Sequence, residues 1–237
     1  MRDTFHAELG ELITRLARMT RLAGQMVTNA AIALHQTDLA LAGIVTANCD
    51  QMTASLADLE QRCVTLLGHQ APDAEGLRVV VAALRAVGHV ERMAHLARHI
   101  AAIPQLKHPN PMISSPVRPV LARMSLLASQ LAGNAATAIE HRDPLSGDRL
   151  AEADQEVDTL RRHLFSILFA KDWSHGVEPA VDAALIGRYY ERFADHAVAV
   201  ARQLCFTAID AIPEPDAAGL TSGGQVLRPT PGQTRPG

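Results

Sequence analysis

The stretch ARMTRLAGQMVTNAAIALHQTD (17–38) returns as ARMSLLASQLAGNAATAIEHRD (122–143). The two stretches align without a gap at an offset of 105, and 11 of their 22 positions are identical. Two unrelated alanine-rich helices would share far fewer positions by chance. The repeat predicts that one structural unit occurs twice in the chain.

The repeated unit has the sequence pattern of a three-helix bundle. In its first copy, apolar residues recur every three or four positions, as expected for a long helix with a narrow buried stripe: Leu9, Leu12, Leu16, Met19, Ala23, Met26, Ala30 and Ala33. A turn near 36–38 precedes a second predicted helix at roughly 39–67. The segment 68–76 is predicted to be a loop in which Asp73 caps a third helix, which runs to about Ile103.

The second half of the chain repeats this order. Four prolines in PQLKHPNPMISSPV (104–117) close the first half. Three further helices are predicted, up to about 142, at 147–170 and at 177–211. We therefore predict an all-α fold of two tandem three-helix bundles, at 1–104 and 114–212, joined by a linker at 105–113. The segment 213–237 holds five prolines and five glycines, which predicts a disordered tail.

Composition limits the classes of function. Hydrophobic residues make up 48% of the chain and aromatic residues only 3%, which favours helices over sheets. A net charge of −3 argues against a nucleic-acid-binding surface. The three cysteines, Cys49, Cys63 and Cys205, form neither a metal-binding spacing nor a disulfide framework, which indicates a reducing cytoplasm. With no signal-peptide pattern and no apolar run of about 18 residues, we expect membrane contact only through a partner.

Two pairs of acidic residues are the candidate metal ligands. Asp154 and Asp158 share one face of the fifth helix, and Glu191 and Asp195 share one face of the sixth. Such pairs on facing helices would repel one another unless a cation neutralised them, and helical bundles build metal centres in this way. Oxygen ligands suit Mg²⁺, Ca²⁺, Mn²⁺ or iron. His196 points about 100° away from Asp195 and is a weaker candidate. The alternative interpretation is an ordinary solvated acidic surface.

Several motifs together resemble the PhoU family of phosphate-signalling regulators, in particular its actinobacterial branch. They are the start with Met1, Arg2, Phe5 and Leu9, the stretch ADLEQRCVTLLGHQAPDAEGLRVVVAALR (57–85), and the paired stretches HVERMAHLARHI (89–100) and YYERFADHAVAV (189–200). The resemblance covers about residues 1–212. It implies two three-helix bundles and, in some members, multinuclear iron or zinc clusters on E(D)xxxD motifs.

The resemblance also implies a function and partners. Family members are cytoplasmic negative regulators that couple the phosphate-specific ABC transporter, through its ATPase subunit, to the sensor histidine kinase of a two-component system. They frequently form homodimers. The second motif set is matched by Asp154, Asp158, Glu191 and Asp195.

The first motif set is incomplete. Glu91 matches, but His95 stands where the second copy has Asp195. At an offset of 105, Cys49 and Thr53 stand opposite Asp154 and Asp158, whereas an offset of 104 aligns Asp50 and Ala54 with them. Either alignment lacks an acid, so we expect an empty, weak or differently liganded site in the first bundle.

Other arrangements around Glu91 are less favourable. Glu91, His95 and His99 share a helix face, but they span nearly 12 Å of rise, so one zinc ion cannot bind all three. Cys49 and Cys63 are more typical of small core residues than of ligands. Guanidinium groups such as those of Arg92 and Arg192 suit phosphate, but no glycine-rich loop or helix N-terminus joins them, which disfavours a phosphate site there.

Three functions remain open on the sequence. A regulatory adaptor is favoured, and no catalytic residue is predicted because no nucleophile motif, P-loop or GxGxxG is present. The alternative is a metal-dependent enzyme with a carboxylate-bridged multinuclear centre, although the Glu-x-x-His pairs of di-iron bundles are missing. The third is a structural adaptor without metal.

Overall fold

A computed structural model describes residues 2–68, 74–107, 113–141, 143 and 146–209. This part of the chain contains six helices and no strand: α1 (Arg2–Gln36), α2 (Leu39–Leu67), α3 (Ala74–Lys107), α4 (Arg118–His141), α5 (Ser146–Leu168) and α6 (Val177–Ile209). The predicted all-α class and the six helices are therefore confirmed. The predicted Asp73 cap and the predicted disordered tail at 213–237 lie outside the described residues.

The apolar stripe predicted on the first helix is buried. All eight of its residues lie in the core, from Leu9 to Ala33, and none is more than 7% exposed. The three-and-four spacing keeps them on one side of α1, which packs against α2, α3 and α4. The stripe thus places α1 at the centre of the fold.

The repeat in the sequence is also a repeat in local structure. Asp38 caps α2, accepting a hydrogen bond on Oδ1 from the backbone N–H of Leu41 at 2.9 Å. The backbone N–H of Asp38 donates to the carbonyl of Ala33, five residues earlier, at 3.0 Å. In the second copy, the N–H of Asp143 donates to the carbonyl of Ala138, also five residues earlier, at 3.3 Å. Both first helices therefore end in the same way.

The two bundles share one continuous core. Helices α1, α2 and α3 pack together, as do α4, α5 and α6, and the bundles join where α1 packs on α4 and α3 packs on α6. Helices α1 and α4 approach closely because Gly24 has no side chain, and a Cβ there would lie 3.0 Å from Ala132 Cβ. At the edge of the junction, Lys107 pairs with Glu178 at 2.8 Å and also with Asp182.

One predicted helix end is wrong. Helix α3 was expected to stop near Ile103, before Pro104, but it continues through this proline to Lys107. Pro104 has no backbone N–H, so the helix lacks one intrahelical hydrogen bond there. The proline ring is buried in the core. None of the described helices is long and apolar enough to cross a membrane.

Candidate metal centre

Helices α5 and α6 bring the four predicted acidic residues together. The helices are antiparallel neighbours, since Arg161 on α5 pairs with Glu191 while Gly147, earlier on α5, faces Arg202, later on α6. Their i, i+4 pairs consequently face one another. The side chains lie close enough for Asp195, Asp158 and Glu191 all to act on the charge of Asp154.

The cluster disfavours its own full ionisation. The pKa of Asp154 is raised from 3.8 to about 6, first by burial and then by the negative charges of Asp195, Asp158 and Glu191. The pKa of Asp195 is also raised, by burial and then by Glu191 and Asp158. A cation at this position would relieve both effects.

Arginines already occupy part of the cluster. Glu191 is only 7% exposed, and its carboxylate lies 3.1 Å from Arg161 Nε and 2.6 Å from Arg188 Nη1. Both contacts are ion pairs, and neither Arg161 Nε nor Glu191 Oε2 has hydrogen-bond geometry. Two guanidinium groups thus offset the buried charge of Glu191.

Sequence reasoning missed Arg161 as a partner of Glu191. Arg161 lies seven residues after Asp154, and so occupies the same helix face two turns later. The seven-residue spacing from Asp154 could have indicated Arg161 in the sequence. Using it would have required knowing that this face of α5 packs against α6.

The cluster fits a cation in charge and in donor type, but not in its present side-chain arrangement. Within the part of the chain that the structure describes, no group of three or more His, Cys, Asp or Glu side chains is arranged around one metal position. Carboxylates at i and i+4 are separated by about 6 Å of helix rise. A bound ion would therefore require the carboxylate side chains to rotate toward one another.

His196 lies apart from this cluster. Its Nδ1 is 3.0 Å from Nδ1 of His89 on α3, so it faces the junction between the bundles. Its pKa is lowered to about 4, chiefly by burial and then by His89, Arg192 and Arg92. The charges that act on His196 are therefore positive, in contrast to those of the acidic cluster.

The burial pattern selects between the two alignments of the first bundle. The buried residues Val45, Met52, Leu59 and Cys63 on α2 correspond to Leu150, Val157, Leu164 and Leu168 on α5 at an offset of 105. At this offset Cys49, which is fully buried, takes the place of Asp154, and the buried Leu56 takes the place of Arg161. The first bundle therefore has apolar side chains where the second has the carboxylate of Asp154 and the guanidinium group that pairs with Glu191.

The remaining polar residues of the first bundle form a different pattern. Asp50 pairs with Arg98 at 3.2 Å, so a guanidinium neutralises its carboxylate. The pKa of the Cys49 thiol is raised, mainly by burial, which disfavours the thiolate that would bind a metal. Glu91 contributes to this shift and so lies near Cys49, while His95 lies near His99, whose ring stacks on Tyr189 with centroids 5.5 Å apart.

Fold and site together define a class: an all-α protein made of a duplicated three-helix bundle with an acidic cluster between the last two helices of one copy. The family model described as the PhoU domain matches both copies, at residues 16–103 and 121–204. The chain belongs to the PhoU family.

Relatives match along nearly the whole length. The "phosphate-specific transport system accessory protein PhoU homolog 1" of Mycobacterium leprae is 40% identical, over 91% of this chain and 97% of its own. The "PhoU homolog 2" of Mycobacterium tuberculosis is also 40% identical, over 90% of this chain and 100% of its own.

Solved structures share the fold. The phosphate transport system regulatory protein PhoU from Streptococcus pneumoniae has a TM-score of 0.76 at 20% identity, over 86% of this chain and 96% of its own. PhoU from Pseudomonas aeruginosa has a TM-score of 0.78 at 23% identity, over 87% and 99%. At these identities the likeness concerns the fold alone, and it agrees with the two-bundle architecture predicted from the repeat.

Proposed function

We propose that this protein is a cytoplasmic accessory protein of phosphate transport that represses the phosphate-starvation response when phosphate is plentiful. It would couple the ATPase subunit of the phosphate-specific ABC transporter to the sensor histidine kinase of a two-component system, and reach the membrane only through these partners. The observation that carries the proposal is the 40% identity to phosphate transport accessory proteins along nearly the whole chain. We propose no catalytic role and no nucleic-acid partner.

The negative regulation is tested by deleting the gene and measuring a starvation-induced promoter in high phosphate. Mycobacterium tuberculosis has two such relatives, homologs 1 and 2. Any paralogue in the host must therefore be deleted as well. We expect the promoter to be active without the protein and repressed again on complementation. Continued repression in the strain without paralogues would contradict the proposal.

The partners are tested one at a time. The purified full chain is mixed with the transporter ATPase subunit in one experiment and with the cytoplasmic part of the kinase in another, followed by affinity capture. Binding to only one of them would remove the coupling role and leave a simple accessory role. We also propose that the chain forms a homodimer, which light scattering on the purified chain alone tests.

The second part of the proposal concerns metal ions. Asp154, Asp158, Glu191 and Asp195 would hold iron or zinc between α5 and α6, where the ions would fix the distance between the two helices. The raised pKa of Asp154 and of Asp195 supports this, because both carboxylates gain from a nearby cation. Glu91 and His95 remain weaker candidates for a first-bundle site.

Metal analysis of the purified protein and a thermal-shift titration with Zn²⁺ or anaerobic Fe²⁺ test this part. We expect saturable stabilisation that is lost in Asp158→Ala, whose side chain is exposed and forms no ion pair with a described residue. The matched control is Asp50→Ala in the first bundle, where Arg98 already neutralises the carboxylate. Equal stabilisation of both variants would place the metal elsewhere. Metal-dependent hydrolysis or oxidation that is lost in Asp158→Ala would favour the alternative of an enzyme.

A further inference from the structure

The junction between α3 and α6 is built from equivalent helices that run in opposite directions. His89 on α3 contacts His196 on α6, while His99, later on α3, stacks on Tyr189, earlier on α6. Between these contacts, the equivalent residues Met93 and Phe193 are both fully buried. An approximate two-fold axis therefore passes through the junction near these two side chains.

The same axis relates two arginines. Arg92 and Arg192 are equivalent in the two copies and are both exposed. Arg92 follows His89 by three residues, and Arg192 precedes His196 by four, so each arginine is a surface neighbour of one member of the histidine pair. The Nδ1 atoms of the two histidines are only 3.0 Å apart, and the charges of both Arg92 and Arg192 act on His196, so both arginines lie near this pair.

Neither arginine of this cluster is paired. Within the described residues neither guanidinium forms a hydrogen bond or an ion pair, and Arg192 also lowers the pKa of Asp195 through its charge. Other exposed arginines of the two bundles are paired: Arg123 binds Glu156 at 2.8 Å, and Arg98 binds Asp50 at 3.2 Å. Both guanidinium groups act on the same His196. The junction thus holds two guanidinium groups near each other that remain available as hydrogen-bond donors.

We propose that Arg92 and Arg192, with the His89–His196 pair beside them, form a binding site for a tetrahedral phosphate-class oxyanion near the axis of the repeat. Two guanidinium forks give a charge of +2 and paired N–H donors, which match a phosphate dianion in charge and geometry. The half-buried imidazoles lie beside the guanidinium groups as further polar groups, and neither has to change its protonation state. The sequence disfavoured a phosphate site at these arginines because no helix N-terminus joins them, but paired guanidinium groups bind phosphate without one.

The site shares no residue with the proposed metal centre but adjoins it, since Arg192 follows Glu191 and acts on the charge of Asp195. The test therefore uses the full chain after treatment with EDTA, so that no metal ion can bind the anion in the acidic cluster. Binding of inorganic phosphate is measured by isothermal titration calorimetry at constant ionic strength. Phosphoserine, a phosphate monoester, is titrated in parallel to distinguish free phosphate from a phosphorylated partner.

We expect saturable binding of at least one of the two ligands with one site per chain. Arg92→Gln and Arg192→Gln should each weaken it about tenfold or more, the order of one charge-assisted contact, and by similar factors because the axis makes them equivalent. The matched control is Arg18→Gln, which removes the same charge from an exposed position on α1. It should bind as the unaltered chain does.

Two results would overturn the proposal. One is the absence of saturable binding for both phosphate and phosphoserine. The other is unchanged affinity in the double variant Arg92→Gln/Arg192→Gln. Because both side chains are exposed, the variants should fold normally, and circular dichroism verifies this. Stronger binding of phosphate than of phosphoserine identifies the free ion as the ligand, and the reverse order identifies a phosphorylated molecule.

Discussion

Replacing Asp154 by Asn should make the metal-free protein more stable at pH 8. The pKa of Asp154 is raised from 3.8 to about 6 by burial and by Asp195, Asp158 and Glu191. The folded state therefore binds the proton of this carboxyl more tightly than the unfolded chain does. The resulting stability is fully present below pH 3.8 and is lost as the pH rises through 6. At pH 8 the charged Asp154 thus opposes folding, and Asn removes this charge.

The size of the effect follows from the shift. A change of roughly two pKa units at 1.36 kcal/mol each gives an upper limit of about 3 kcal/mol at pH 8. Asp154 is only partly buried, so screening by water reduces this to about 1–2 kcal/mol. For a chain of this size, the melting temperature should rise by about 2–8 °C. By pH 4 the gain should fall to about a fifth, because the folded carboxyl is then protonated in the unaltered chain.

The assay is thermal unfolding, followed by circular dichroism, of chelator-treated protein at pH 8 and pH 4. Asp172→Asn is the control, since Asp172 is exposed in the connection between α5 and α6, and it should shift the melting temperature by less than about 1 °C. If Asp154→Asn destabilises the protein at pH 8, the carboxylates do not repel one another and the reasoning fails. With saturating Zn²⁺ the unaltered chain should instead melt at a higher temperature than Asp154→Asn, because a ligand at 100 times its Kd stabilises the protein that binds it by about 2.7 kcal/mol.

Three further substitutions test the packing and hydrogen bonding of the helices. Gly187→Ala should lower the free energy of unfolding, measured in urea, by about 1–3 kcal/mol, because the new Cβ would lie 2.5 Å from Leu164 Cδ2 in the core. Gly43→Ala, whose Cβ meets nothing within 4 Å, should instead raise this free energy by about 0.5–1 kcal/mol. Tyr190→Phe should change it by less than about 0.5 kcal/mol, because the buried hydroxyl has no hydrogen bond of good geometry. A loss above about 1 kcal/mol would show that Ser125, which lies near this hydroxyl, bonds to it.

The sequence predicted those features that depend on local periodicity. The buried side of α1 could be read from Leu9 to Ala33 because helix geometry alone sets which residues share a face. The repeat then predicted the second bundle, since equal sequences bury equal surfaces. These two signals were sufficient for the fold.

Features that depend on contacts between helices could not be read in this way. Cys49 and Asp50 are adjacent, and only the buried face of α2 decides which of them occupies the position of Asp154. The ion pair between Arg161 and Glu191 joins residues 30 positions apart on different helices. Its formation depends on how α5 is rotated against α6, which periodicity does not specify.

Equivalent positions in the two copies have opposite effects on stability. In the first, Cys49 and Leu56 continue the apolar seam of α2, and burial of such side chains contributes to stability. In the second, Asp154 and Arg161 interrupt the same seam, and a carboxylate with a raised pKa there costs stability at neutral pH. A position that stabilises one bundle thus destabilises its copy unless a cation binds. On our proposal, the first bundle supplies the stability that allows the second to carry an acidic cluster for metal ions.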